Sequence, residues 1–190
     1  MFVCRNDLSG YVLAGGRSSR FGRNKALALI EGKSMLTYST DLLKKNCASV
    51  CVNRGIRTDI DFPDTISDLI PDIGPMGGIY SCLKASSTEY SLILTCDMPF
   101  LTAEMLDRLI QLWQKKKMPI TLFKDKEGNL YPFPGIYSKA CIPVLRQLIP
   151  DHNYKIKSLI HQTKVCECEL SDSELKNMIN LNYADPSFFE

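Results

Sequence analysis

The chain has 190 residues, of which 45% are hydrophobic and 23% charged, and its formal net charge is +2 at pH 7. This length suits one well-buried α/β core and only marginally two, so we predict a single domain over residues 1–190. The charge surplus is too small for a nucleic-acid-binding or anionic-membrane surface, and no run reaches the roughly 18 to 20 apolar residues of a membrane helix.

Strands and helices are predicted to alternate as far as Lys124. Apolar runs bounded by turn residues predict strands at residues 9–13, 48–52, 90–95 and 119–123. Capping residues and helical spacing predict helices at about 34–45, 79–85 and 102–117. Such alternation is typical of a parallel sheet covered on both faces, so we predict an α/β fold: a three-layer α/β/α sandwich with a Rossmann-like, mostly parallel sheet.

After Lys124 the pattern changes. A polar turn at 125–129 leads into an extended segment rich in proline and aromatic residues at 130–137. Further elements are predicted in this order: helices at 138–148 and 153–161, a strand at 164–170 and a last short strand at 178–181. We predict that residues 8–124 bind a nucleotide and that residues 125–190 pack on the same core as the acceptor side.

A glycine-rich, basic loop follows the first predicted strand. From Leu13 to Lys25 it reads L-A-G-G-R-S-S-R-F-G-R-N-K. Glycines let the backbone approach a polyphosphate, and Arg17, Arg20, Arg23 and Lys25 repel one another unless an anion lies between them. The loop matches neither the P-loop nor the G-x-G-x-x-G pattern, so a solvated basic turn is the alternative to a phosphate-binding loop.

Asp97 comes directly after an apolar strand, at the edge where open α/β sheets bind ligands. One carboxylate beside a phosphate loop is sufficient for Mg²⁺, because this ion completes its shell with substrate phosphates and water. The structural alternative is that Asp97 caps the helix beginning near Thr102.

A third segment combines Asp68 with the glycines around Gly74-Pro75. The helix that follows could hold a ligand at its N-terminus, and Asp68 could accept hydrogen bonds from a sugar or a base. A surface aspartate ahead of an ordinary Gly-Pro turn is the alternative. His152 and His161 are the two histidines and lie far from these segments in sequence, so we expect neither to be catalytic.

The eight cysteines are scattered, mostly within apolar runs: Cys4, Cys47, Cys51, Cys82, Cys96, Cys141, Cys166 and Cys168. We predict buried thiols in a reducing compartment, and therefore a cytoplasmic location. Cys166 and Cys168 are the closest pair, and a metal or redox role for them is the alternative to packing.

Taken in order, these motifs resemble those of the molybdenum cofactor guanylyltransferase (MobA) family. Leu13 to Lys25 is similar to the family's L-A-G-G-x-S-x-R-M-G-x-D-K, and residues 74–79 and 96–101 are similar to its G-P-L-x-G-I and C-D-x-P-x-L segments. Residues 132–137 and Asn180-Leu181-Asn182 are similar to its proline-to-tyrosine and N-x-N segments.

The resemblance implies a fold of the nucleotide-diphospho-sugar transferase type and a set of site residues. Those implied to bind GTP are Leu13, Ala14, Gly15, Gly16, Lys25, Asn53, Asp68 and Asp97. The resemblance also implies that Asp97 binds Mg²⁺ and that Asn180 and Asn182 lie near the pterin. We predict that Lys25, Arg20 and Asp97 are catalytic, because Lys25, Arg20 and Mg²⁺ on Asp97 would offset the charge that builds on the phosphates.

The implied activity is Mg²⁺-dependent transfer of GMP from GTP to the terminal phosphate of Mo-molybdopterin, with release of pyrophosphate. We expect a monomer that transiently contacts proteins of molybdenum-cofactor insertion. Three features depart from the family's pattern: Asn24 in place of aspartate, Tyr183-Ala184-Asp185 in place of Thr-Pro-Glu, and a shortened C-terminal end.

Two other functions stay open at this point. One is a related nucleotidyltransferase that uses CTP, or a sugar or alcohol phosphate as acceptor, because base choice depends on a few contacts around Leu13, Asn53 and Asp68. The other is a nucleotide-binding adaptor without catalysis, which the Asn24 and C-terminal departures motivate.

Overall fold

The computed structural model describes residues 7–15 and 25–181. Its strands are β1 (Leu8–Leu13), β2 (Leu29–Ile30), β3 (Lys33–Ser34), β4 (Ser49–Asn53), β5 (Thr65–Ile66), β6 (Tyr90–Thr95), β7 (Ile120–Lys124), β8 (Leu130–Ser138) and β9 (Val165–Glu169). Seven of them form one sheet in the order β5-β4-β1-β6-β8-β7-β9, and β2 and β3 form a separate hairpin. Within the sheet β8 alone runs antiparallel to its neighbours, so the prediction of a mostly parallel sheet is confirmed.

Helices cover both faces of this sheet. They are α1 (Met35–Asn46), α2 (Pro75–Ala85), α3 (Ala103–Lys116), α4 (Ile142–Leu148), α5 (Ile156–His161) and the short α6 (Asp172–Leu175). Side chains of α1 and α3 pack with Val12 and Leu94 in one core layer, whereas α2, α4 and α5 pack with Tyr11 and Ile93 in the other. Successive strand residues point to opposite faces, which is why neighbouring residues of β1 and of β6 serve different layers. The three-layer prediction is confirmed.

Local capping explains why the helix starts were predictable. Ser34 Oγ accepts from Thr37 N at 3.1 Å ahead of α1, and Thr102 Oγ1 accepts from Met105 N at 3.3 Å ahead of α3. Ahead of α2, Gly74 has a φ of +65°, and Pro75 occupies the first turn, where a missing N–H is harmless. In the part of the chain that the structure describes, no helix combines the length and apolar character needed to cross a membrane.

The strand predicted at 178–181 is wrong. Lys176–Met178 form a 3₁₀ turn and residues 179–181 belong to no strand. Met178 and Leu181 are buried, and the N–H of Leu181 donates to Asp97 O at 2.9 Å. These apolar residues therefore anchor a terminal segment beside β6 instead of pairing in the sheet. Two predicted helices are also shorter than expected, since 138–148 begins with a 3₁₀ turn over Lys139–Cys141 and the helix predicted from 153 begins at Ile156.

Candidate active site

The carboxyl ends of β1, β4 and β6 lie side by side and bring the three sequence motifs together. Leu13 is paired in register with Asn53 on one side and with Thr95 on the other. Beyond the strands, Ala14 N donates to Asn53 O at 2.8 Å and Cys96 N donates to Leu13 O at 3.1 Å. Sheet pairing thus continues to the first residues of the glycine-rich loop and to the turn that carries the predicted metal ligand.

Lys25 and Asp97 form an ion pair at this edge. The Nζ of Lys25 lies 3.0 Å from Asp97 Oδ2, although the two residues are 72 positions apart in sequence. The side chains are 12% and 17% exposed, so little water screens the pair. The helix-capping alternative for Asp97 is wrong, because Thr102 caps α3.

The second carboxylate oxygen of Asp97 lacks a hydrogen-bond partner among the described residues. Oδ1 is buried and accepts no hydrogen bond from the residues that the structure describes. Buried carboxylate oxygens normally have partners, because leaving one unpaired costs about 1 to 3 kcal/mol or more. Thr95 Oγ1, at the end of the same strand, is also buried and without a partner among them. Both oxygens are suited to a ligand that supplies cations or donors.

Asn53 holds several parts of the site in place. Its side chain is buried at the end of β4, and Nδ2 donates to Asp68 Oδ1 at 2.8 Å and lies 3.4 Å from Gly78 O. Its Oδ1 accepts from Gly55 N at 2.8 Å. Asn53 therefore positions Asp68, the loop after β4 and the start of α2.

Asp68 is half-buried beside α2. Burial raises the pKa of its carboxyl group, and the hydrogen bond from Asn53 acts in the opposite direction. Asp68 Oδ1 accepts a hydrogen bond from Asn53 Nδ2. The backbone of the next residue is also held, because Leu69 N donates to Ser81 Oγ at 2.8 Å. The surface-residue alternative for Asp68 is therefore wrong: it belongs to a fixed polar cluster at the strand ends.

The glycine-rich loop and the loop after β4 contact each other at Gly15 and Gly55. A Cβ on Gly15 would lie 2.6 Å from Gly55 Cα, and one on Gly55 would lie 2.9 Å from Gly15 Cα. These separations are far below the roughly 3.5 to 4.0 Å of favourable carbon contacts, so neither position has room for a side chain. Sequence reasoning missed Gly55. The signal was a glycine two residues beyond the β4 run, where a chain that leaves a sheet often needs a positive φ; here it is +61°.

Of the predicted site residues, the structure brings seven together: Leu13, Ala14, Gly15, Lys25, Asn53, Asp68 and Asp97. Asn180 is exposed, and the bond from Leu181 N to Asp97 O places its segment beside the same turn. Gly16, Arg17, Arg20, Arg23 and Asn182 lie outside the described residues.

Most of the described thiols are buried, as predicted, but Cys51 and Cys166 are partly exposed. Burial raises the pKa of Cys47, Cys96 and Cys141 to about 12, which leaves little thiolate at neutral pH. The described residues contain no group of three or more histidine, cysteine, aspartate or glutamate side chains that could hold a metal ion.

Comparison with known proteins identifies the family of this chain. Residues 10–166 match the family model described as the MobA-like NTP transferase domain. A probable molybdenum cofactor guanylyltransferase of Flavobacterium johnsoniae is 31% identical over 179 residues, which cover 94% of this chain and 93% of that protein.

Two solved structures share the fold. Molybdopterin-guanine dinucleotide biosynthesis protein A of Archaeoglobus fulgidus superposes with a TM-score of 0.77 at 20% identity, over 93% of each chain. The 2-C-methyl-D-erythritol 4-phosphate cytidylyltransferase of Thermus thermophilus superposes with a TM-score of 0.65 at 12% identity, over 92% of this chain and 93% of that one. The predicted fold of the nucleotide-diphospho-sugar transferase type is confirmed.

Proposed function

Because this chain belongs to the MobA-like NTP transferase family and is a nucleotidyltransferase, we propose that it transfers GMP from GTP to the terminal phosphate of Mo-molybdopterin. Relatives named molybdenum cofactor guanylyltransferase that match almost the whole chain support this choice of substrates. The observation that carries the proposal is the Asp97 carboxylate, with one oxygen on Lys25 and the other buried without a partner among the described residues.

The reaction needs positioning and charge neutralisation more than it needs proton transfer. An oxygen of the acceptor phosphate attacks the α-phosphorus of GTP in line, and the bond from that phosphorus to the oxygen bridging to the β-phosphorus breaks. The acceptor oxygen is already anionic, so no general base is required.

The described cation and carboxylate have separate parts in this reaction. Lys25 stabilises negative charge on the phosphates, from a position where few water molecules screen it. Asp97 Oδ1 would hold Mg²⁺, which when bound neutralises phosphate charge and orients the α-phosphate for attack. Arg20, on the glycine-rich loop, is proposed to add a second positive charge.

Asp68 offers a physical reason for choosing GTP over CTP. A carboxylate is an acceptor, and guanine presents two adjacent donors, N1–H and the N2 amino group. Cytosine presents one amino donor beside ring acceptors, which a carboxylate oxygen would repel. Asn53 fixes the carboxylate at 2.8 Å, so the acceptor is positioned before the base arrives.

Replacing Asp68 with asparagine tests this base contact. We expect GTP affinity to fall about 10-fold to 100-fold, because charge-assisted hydrogen bonds are lost, while CTP affinity changes little. Isothermal titration with both nucleotides and Mg²⁺ measures this, and Asp64→Asn, the same charge change on an exposed residue four positions earlier, is the control. Equal losses for GTP and CTP would mean that Asp68 contacts the ribose, and the base assignment would be wrong.

Protonation of Asp68 should have the same effect as the substitution. The carboxylate is the acceptor, so GTP affinity decreases as the pH falls through the pKa of Asp68. Because burial raises that pKa above the ordinary value of 3.8, the loss should begin at a higher pH than for an exposed aspartate. The Asp68→Asn protein should lack this part of the pH dependence.

A transfer assay tests the whole proposal. Purified protein is incubated with GTP, Mg²⁺ and Mo-molybdopterin, and both pyrophosphate and the guanine dinucleotide product are measured. Parallel reactions contain CTP, or a sugar phosphate in place of the pterin. Turnover only with those substitutes would identify a related transferase, and nucleotide binding without pyrophosphate release would identify an adaptor.

A further inference from the structure

The ion pair between Lys25 and Asp97 joins two turns, and neither residue lies in a strand. Lys25 begins the 3₁₀ turn Lys25–Leu27, and Asp97 lies two positions beyond the end of β6. Lysine has a flexible four-carbon stem, so its Nζ stays at 3.0 Å from Asp97 Oδ2 only while the backbones of both turns are held in place. Contacts between the two turns therefore decide the geometry of the pair.

The Lys25 turn is held by the β2–β3 hairpin that follows it. Ala28 N donates to Lys25 O at 3.1 Å, and Met35 N donates to Ala28 O at 3.0 Å. Ile30 in β2 and Met35 at the start of α1 are buried together with Leu181, and we call these three residues the hairpin cluster. The cluster is separate from the two core layers of the sheet, and Ala28 packs against it. Its packing fixes the hairpin and, through Ala28, the turn that carries Lys25.

The Asp97 turn contacts the same hairpin cluster in two ways. Leu181 N donates to Asp97 O at 2.9 Å, and Phe100, three residues after Asp97, packs against the cluster. The side chain of Leu181 is buried in the cluster, and the residue is 6% exposed. Leu181 thus contacts the Asp97 turn with its backbone and the hairpin with its side chain, which links the two partners of the ion pair.

We propose that Leu181 is a positioning residue for the ion pair: its side chain, packed on the hairpin, sets the position of Lys25 relative to Asp97. Its part in catalysis rests on the proposed function, in which Lys25 and Asp97 act on the phosphates of the nucleotide. A misplacement of about 1 Å among reacting groups can lower a rate about 100-fold. Leu181 therefore affects the transfer rate strongly through these two side chains, without a phosphate contact of its own.

Shortening the side chain of Leu181 tests this role. In Leu181→Ala the kcat of GMP transfer should fall about 10-fold to 100-fold, because the cavity lets the hairpin move relative to the Asp97 turn. Leu181→Met fills a similar volume and should recover most of the rate. Ile179→Ala is the matched control, since it removes an apolar side chain that is 53% exposed from the same segment, and it should transfer GMP at the wild-type rate.

The same effect should be obtained from the hairpin side of the cluster. Ile30→Ala should lower kcat by a similar factor, whereas Leu29→Ala should not, because Leu29 is the neighbouring residue of β2 and is 48% exposed. A wild-type kcat in both Leu181→Ala and Ile30→Ala would overturn the inference.

A double-mutant cycle separates positioning from general loosening of the fold. Urea unfolding without nucleotide is measured for the wild type, Leu181→Ala, Lys25→Met and the double variant. The double variant should lose less stability than the sum of the single losses, because the lysine that Leu181 positions is absent. For the same reason, Leu181→Ala should lower kcat by a smaller factor in the Lys25→Met protein than in the wild type. Additivity in either measurement would overturn the inference.

The inference and the proposed function fail in different ways. Wild-type protein that transfers no GMP, but whose losses of stability are coupled, would overturn the proposed function and leave the positioning of the ion pair intact. Wild-type protein that transfers GMP, with additive losses of stability, would overturn the inference alone.

Discussion

Replacing Asp97 with asparagine is expected to slow GMP transfer about a thousandfold or more while the protein stays folded. The amide keeps the shape of the carboxylate but loses the charge that Lys25 meets at 3.0 Å. It also removes the anionic Oδ1, which is buried and has no partner among the described residues. Pyrophosphate release at saturating GTP and Mg²⁺ measures the loss.

A second aspartate provides the control for this substitution. Asp41 is paired with Lys33 at 2.7 Å on the exposed face of α1, so Asp41→Asn makes the same chemical change away from the strand ends. Its transfer rate should remain near that of the wild type. Near-normal transfer by Asp97→Asn would remove Asp97 from the mechanism, and urea unfolding of both variants checks that the comparison is between folded proteins.

The elements that sequence reasoning predicted well are those determined by neighbouring residues. Ser34 and Thr102 cap α1 and α3 with their own side chains, and the apolar run of β6 was predicted with the bounds found in the structure. Each of these signals lies within a few residues of the feature that it determines. The strand predicted at 178–181 was wrong for the opposite reason. Leu181 is held by groups that are distant in sequence, so the apolar character of this segment did not show whether it pairs with another strand.

The parts of the site could be predicted individually, but their connections could not. The sequence alone does not predict the ion pair between Lys25 and Asp97, because that contact depends on β1 and β6 being adjacent in the sheet. Asn53 was implied to contact GTP by the family resemblance. Its amide is used to hold Asp68 and Gly55, which only the fold reveals. How Gly16 and Arg20 contribute stays a prediction.

Replacing Gly55 with alanine should have the second large effect, on stability and on nucleotide binding together. The substitution puts an L-residue at a φ of +61°, which costs about 1 to 2 kcal/mol. It also forces a Cβ to within 2.9 Å of Gly15 Cα, and overpacking of this kind adds about 1 to 3 kcal/mol. Because relief of the clash moves the start of the glycine-rich loop, GTP affinity should fall more than about 10-fold.

Gly32→Ala separates the cost of the positive φ from the cost of the clash with Gly15. Gly32 has a similar φ of +75° in the β2–β3 turn, but an added Cβ meets nothing within 4 Å. Both variants place alanine at a positive φ, and both replace a glycine in the unfolded chain. The difference between their free energies of unfolding therefore reports the contact with Gly15. Gly32→Ala should therefore lose about 1 to 2 kcal/mol and no GTP affinity.

The contact between the two loops can also be measured as a coupling. Gly15→Ala places a Cβ 2.6 Å from Gly55 Cα, so each single substitution already separates the loops. The double variant should then lose less stability than the sum of the single losses, because the second methyl group enters a space that the first has opened. Strict additivity, or equal stability of Gly55→Ala and Gly32→Ala, would show that the loops do not touch in solution. The start of the glycine-rich loop would then have to be held in place by a group other than the β4 loop.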